Sequence, residues 1–198
     1  MISNVENPDP KERIIQVTLE IIGTQGTDKV TIREIASRVG VNVAAVNYYF
    51  GSKNNLIQQS MQYFADKMQE AFSNFQQKEI PLKDKLYLFL TTFAETAVTY
   101  PGVVKSLVNQ MMENGEFHSK IALTMEKGSA TIEQVIGQLI QSTDKKKLSF
   151  ITLQLMSSII YPILMSTQLP MLYGFDYREK EAREEYIRSS MELIFKNY

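Results

Sequence analysis

The chain has 198 residues, 44% of them hydrophobic and 22% charged, which excludes a disordered polyelectrolyte and allows one large core or two small ones. Twenty-one Lys and Arg stand against 22 Asp and Glu, so the formal charge is −1 and any site for a polyanion must be built locally. With no cysteine and a single histidine, His118, disulfide frameworks, thiolate metal sites, cysteine nucleophiles and histidine-rich zinc sites lack their ligands. No cofactor is expected, and a reducing cytoplasm fits.

Met1 to Pro10 is polar and acidic, so no secretory signal is read there and the chain is expected to begin at Met1. Apolar residues recur at three and four almost everywhere, without period-two β-branched runs, so the fold class is all-α. The first helix is expected to start at Asp9, with Pro10 in its first position and Glu12 in its first turn. Ile14, Val17, Ile21 and Ile22 then share one face, and Gly23 and Gly26 end it. Thr31 with Glu34 reads as a capping box opening a short second helix, which Gly40 closes. Asn42 caps a third helix from about Val43 to Phe50, Gly51 ends that one, and Ser52 caps a long fourth.

The fourth helix carries Ile57, Met61, Phe64, Met68, Ala71 and Phe75 as a packing seam. Pro81 restarts the chain, and Leu82, Leu86, Phe89, Phe93 and Ala97 form the inner face of a fifth helix that Tyr100-Pro101 breaks. A sixth helix covers about Pro101 to Met112, Asn114-Gly115 is a turn, and a seventh runs to about Gln141. Thr143-Asp144 opens an eighth that Pro162 can kink, and Asp176 with Glu179 caps the last. From Leu148 to Phe175 no residue is charged, longer than the roughly 20 residues that span a bilayer. Gln154, Ser157, Ser158, Ser166, Thr167, Gln168, Pro162 and Pro170 interrupt it, which points to a core or interface helix.

The spacing of Thr31, Ile35, Ala36, Gly40, Val41, Asn42, Val46 and Phe50 is that of a helix-turn-helix. Ile35 and Ala36 pack inward, Gly40 makes the turn and Val46 pins the second helix. Asn42, Val43, Ala44, Ala45, Asn47, Tyr48 and Tyr49 then lie on the part of that helix which enters a major groove. Asn47 suits an adenine edge, Val43, Ala44 and Ala45 suit thymine methyls, and Tyr48 and Lys53 suit phosphates, with Thr31 and Arg33 beside them. The helix that starts at Ser52 and Lys53 also offers free amides to an anion. Residues 27–56 hold four basic and two acidic side chains, a net of +2, while residues 1–56 balance at six and six.

The run TIREIASRVGVNVAAVNYYFGSKNNL resembles the DNA-binding segment of the tetracycline-repressor (TetR) family of transcriptional regulators. Its typical form is T-x-x-x-I-A-x-x-A-G-V-S-x-G-x-L-Y-x-H-F-x-S-K-x-x-L. Thr31, Ile35, Ala36, Gly40, Val41, Phe50, Ser52, Lys53 and Leu56 match, while Val39, Asn42, Ala44, Val46, Asn47 and Tyr49 depart from it. Asn still caps and Val still packs. The match covers about Lys11 to Leu56.

The resemblance implies a three-helix DNA-binding domain over 1–54 and a bundle over 55–198, about nine helices in all, which binds a small-molecule effector and forms a homodimer through its last two helices. Leu155, Ile159, Pro162, Tyr186, Leu193 and Ile194 are the expected dimer contacts. Phe89, Phe93, Met111, Met112, Met125, Tyr161 and Met165 are candidates to line an effector pocket of hydrophobic or aromatic character. His118, near a turn, is read as solvated. A two-fold dimer implies a roughly palindromic double-stranded operator, with the fourth helix as the link between effector and reading heads. A repressor that is not an enzyme and needs no membrane follows from the resemblance. The rival readings are a helical protein-interaction adaptor, and a helical enzyme, for which no di-iron, phosphate-loop or triad pattern is present.

Overall fold

The computed structural model describes residues 9–114, 120–196 and 198, and side chains outside 110–126. Its elements run α1 (Pro10–Gln25), α2 (Ile32–Val39), α3 (Val43–Phe50), α4 (Lys53–Phe72), α5 (Leu82–Thr99), α6 (Pro101–Asn114), α7 (Lys120–Leu139), α8 (Lys145–Leu164), α9 (Leu169–Tyr173) and α10 (Lys180–Phe195). Single 3-10 turns lie at Thr27–Lys29 and Ser73–Gln76. The fold is all-α with no strand among the described residues. Gly115 and His118 lie outside them.

Short polar side chains start the helices by accepting from otherwise orphaned amides. Asp9 accepts from the Lys11 N–H at 3.1 Å, Thr31 from Glu34 at 3.2 Å, Asn42 from Ala45 at 2.6 Å, Ser52 from Asn55 at 3.2 Å, and Asp144 from Lys146 at 3.0 Å. Some expected local devices take another form. Gly23 does not end α1, which runs on to Gln25 and closes at Gly26. Glu34 does not complete a capping box, because its carboxylate takes a hydrogen bond from Arg38 at 2.6 Å. Asp176 does not cap α10: it accepts from the Arg178 amide and guanidinium, which holds its carboxyl below the usual range, and Glu179 sits at the cap without a side-chain bond. The fourth helix ends at Phe72, and Phe75 falls in the 3-10 turn.

α1 lies across the front three helices and the bundle at once, packing on α2 and α3 as well as on α4 and α6. Ile14, Leu19, Ile21, Ile35, Val46, Phe50, Leu56 and Phe64 are all buried in a core that continues into Leu86, Phe89, Ile151, Leu155 and Ile159. Phe72, Phe75, Phe89 and Phe93 form an aromatic cluster at the α4–α5 corner, with ring centroids 4.8 Å apart for Phe72 and Phe89 and 5.0 Å for Phe75 and Phe89. Gly128 of α7 lies directly on the Phe72 ring, where a methyl group would collide.

α8 is long and apolar enough to cross a membrane, but Leu148, Ile151, Thr152, Leu155, Ile159, Pro162 and Ile163 are buried inside the fold, as in a core helix. This corrects the expected dimer face. Leu155 and Ile159 are fully buried within one chain and Pro162 is buried beside them, so none of the three can meet a partner. The outward stripe of α8 is instead Phe150, Leu153 and Tyr161, at 57%, 66% and 50% exposure, beside Leu193 of α10 at 74%. Tyr186 and Ile194 are half-buried, Tyr186 stacking on Phe175.

Candidate nucleic-acid interface

Gly40 stands between α2 and α3 with φ 79° and ψ 33°, the left-handed conformation that only glycine adopts without strain. Its amide and that of Val41 both donate to the Ala36 carbonyl at 3.0 Å, and Asn42 then opens α3. Ile35, Ala36, Val39, Val46 and Phe50 are buried on the inner side of this corner, so α3 must turn its other side outward. On that side Asn42, Val43, Ala44, Asn47, Tyr48 and Tyr49 are exposed and Ala45 is half-buried. Tyr48, at 86% exposure, is the most prominent, and its ring meets Tyr49 edge-on with centroids 5.5 Å apart. Thr31 and Arg33 are exposed at the start of α2.

The structure therefore brings Thr31, Arg33, Asn42 to Ala45 and Asn47 to Tyr49 onto or beside one surface. Lys53 differs from its expected free position, since its ammonium donates to the Asp28 carbonyl at 3.1 Å and ties the Thr27–Lys29 turn to the start of α4. Arg38 is held between Glu34 and Glu20, at 2.6 and 3.8 Å, which leaves Lys29, Arg33 and Lys53 to carry the local positive charge.

Contacts from α1 and α4 hold this surface in place. Arg13 of α1 donates to the Val39 carbonyl at 2.7 Å, at the negative end of α2, and Asn55 donates to the Phe50 carbonyl at 2.8 Å at the end of α3. Lys11 lies over the Phe50 ring at 5.9 Å. The Arg13 bond spans 26 residues, and no local pattern announces it.

The matched family model is that of the bacterial regulatory proteins of the tetR family, over residues 14–59, the same segment that builds this corner. The chain is 38% identical over 68 residues to the HTH-type transcriptional dual regulator CecR of Shigella flexneri, a match covering 34% of this chain and 30% of that protein. Over this segment the chain is similar to the TetR family of transcriptional regulators. It thus spans under a third of CecR's own length in that match. A longer match, 23% identical, covers 65% of this chain and 67% of the nucleoid occlusion factor SlmA of Photobacterium profundum. Among solved structures, a transcriptional regulator from Aquifex aeolicus VF5 superposes with a TM-score of 0.62 at 20% identity, over 94% of this chain and 100% of that one. That likeness shows that the fold extends through the bundle, beyond the segment that the family model matches.

The described members of the expected effector set stand in different surroundings. Phe89 is fully buried in the aromatic cluster, with Phe93 half-buried at its edge. Tyr161 points outward, and the neighbouring Tyr173 hydroxyl raises its phenol's pKa. Met165 is half-buried just beyond the end of α8. Met111, Met112 and Met125 have side chains outside the described residues.

Proposed function

We propose that this chain is a homodimeric, sequence-specific DNA-binding transcriptional regulator, a ligand-responsive repressor whose α3 enters the major groove of a palindromic operator. The observation that carries the reading is the exposed row Asn42, Val43, Ala44, Asn47, Tyr48 and Tyr49, presented by a glycine-turned helix pair inside the segment matching the family model. Residues 1–54 act as the reading head and 55–198 as the bundle that receives the effector and the partner. Asn47 reads a base edge, Val43 and Ala44 admit the helix close to thymine methyls, and Tyr48, Arg33 and Lys53 take phosphates. Lys53 reaches a phosphate with the ammonium protons that Asp28 leaves free.

The partner is a second copy, meeting along Phe150, Leu153, Tyr161 and Leu193, with Tyr186 and Ile194 at the margin. Four large apolar side chains, each half or more exposed on adjacent helices, favour burial against another protomer. The work is binding, not catalysis, and its DNA partner places it in the cytoplasm. The effector is a small molecule held in the bundle.

The reading is tested by titrating a duplex library with the purified protein at several salt concentrations. Affinity that falls steeply and linearly in log salt supports it; flat binding supports a protein-interaction adaptor instead.

A further inference from the structure

α1 belongs to the reading head, because its Arg13 holds the end of α2 and its Ile14 is buried in the core that the head helices share. Yet its last turn is pressed onto the first turn of α6, main chain against main chain. A methyl carbon placed on Gly23 would lie 2.4 Å from both the Cα and the carbonyl carbon of Gly102 and 2.7 Å from the Val103 nitrogen. One placed on Gly102 would lie 2.6 Å from the Gly23 Cα, 2.7 Å from its carbonyl carbon and 2.9 Å from its oxygen. No side chain stands between the helices to absorb a displacement. Val103 is buried directly after the crossing.

Nearer the start of α1 a polar cluster makes a second tie. The Tyr63 hydroxyl of α4 donates to Glu12 of α1 at 2.6 Å. Tyr100, the residue before α6, lies near Tyr63 and near Gln16 of α1, and its ring meets Phe64 of α4 edge-on at 5.9 Å. Burial pushes both phenols' pKa values up, so they stay protonated donors. α1 is thus held against α6 at the Gly23–Gly102 crossing and against α4 at Glu12, with Tyr100 of the α5–α6 corner beside the second point.

Resting on the regulator reading above, we propose that the Gly23–Gly102 crossing is the pivot through which α6 sets the angle of the reading head, in addition to the covalent link through α4. The lever is long. Pro10 lies 13 residues from Gly23, ~20 Å along the helix, so a turn of ~10° about the crossing moves that end by ~3 Å. α2 and α3, packed on α1, move with it. What α6 feels in the bundle is delivered to the head without passing along α4.

The chain has no cysteine, so two introduced ones report this geometry cleanly. Ser37→Cys on α2 and Glu95→Cys on α5, both at exposed positions, are spin-labelled and the protein diluted into unlabelled chain, so that each head-to-bundle distance is read within one protomer. Gly102→Ala must separate the helices by about 1 Å to restore ordinary contact. The expected result is a shift of ~1 Å or more in the label distance, with Lys105→Ala, at an exposed position of α6, leaving it unchanged. A folded Gly102→Ala variant with the original distance overturns the pivot. If that variant does not fold, Val103→Ala, which empties the contact instead of filling it, should broaden the distance distribution, and an unchanged distribution overturns the proposal. The measurement needs no DNA, so a failure to bind any duplex would remove the regulator reading by a separate route.

Discussion

Tyr48 offers the sharpest separation of folding from recognition. It is 86% exposed, and its one ring contact among the described residues is the edge-on pair with Tyr49. Tyr48→Ala loses a solvated ring contact and gains the better helix former, so stability should change by no more than ~0.5 kcal/mol. On DNA the loss is larger. A hydroxyl donating to a charged phosphate is worth ~1.5 kcal/mol, so two heads lose ~3 kcal/mol, a Kd roughly 150-fold weaker on every sequence. No charge is removed, so the slope of log Kd against log salt should not change, and Tyr48→Phe should show the same loss with the ring retained. Lys53→Ala, in contrast, should lower that slope by ~1 per protomer. Urea melts and fluorescence anisotropy on a fixed duplex at several salt concentrations measure all of this. A Tyr48→Ala protein that binds as tightly as the parent, or one that binds weakly because it has unfolded, refutes the assignment.

Asn47→Ala should keep overall affinity on mixed DNA but relax preference at one base pair per half-site by ~1 to 3 kcal/mol, seen by sequencing selected duplexes. Leu153→Lys combined with Leu193→Lys should convert dimer to monomer in sedimentation while leaving the helical spectrum intact, since both side chains are exposed. The Arg178 hydrogen bond lowers the pKa of Asp176 in the folded chain, so its stabilisation is present above the unfolded carboxylate value and is lost as pH falls through the lower folded one. Asp176→Asn should therefore be less stable by a few tenths of a kcal/mol at pH 7, as is usual for an exposed pair, with the difference closing as the pH falls through the lowered folded value. Melting curves at pH 7 and along an acid series decide it.

Which parts of this molecule were legible in its sequence follows from how far each interaction reaches. Asp9, Thr31, Asn42, Ser52 and Asp144 cap the helices expected of them, because a cap bond joins residues two or three apart. Gly40 was readable for the same reason, and with it the outward face of α3. Gly23 was misread: a glycine near a helix end looks like a stop, and only Gly102, 79 positions later, shows that it is there to let two backbones meet. Arg13 was missed on similar grounds.

The phase of α8 was not legible. A helix apolar all round gives no stripe to orient it, so Leu155 and Ile159 were as plausible at a surface as Phe150 and Leu153. The five-residue α9 within the same uncharged run gave no periodic signal. Phe89 and Tyr161 share an apolar character but stand in different places, one inside an aromatic cluster and one facing solvent, a distinction that composition does not carry.

The central claim is that α3 reads a specific sequence as half of a two-fold pair. The most direct measurement is selection of bound duplexes from a random library by the purified protein, sequenced at two salt concentrations. The expected result is a palindrome whose half-sites lie about one helical turn or a multiple apart, recovered more sharply at the higher salt. A verified folded dimer that enriches no sequence at low salt would contradict it.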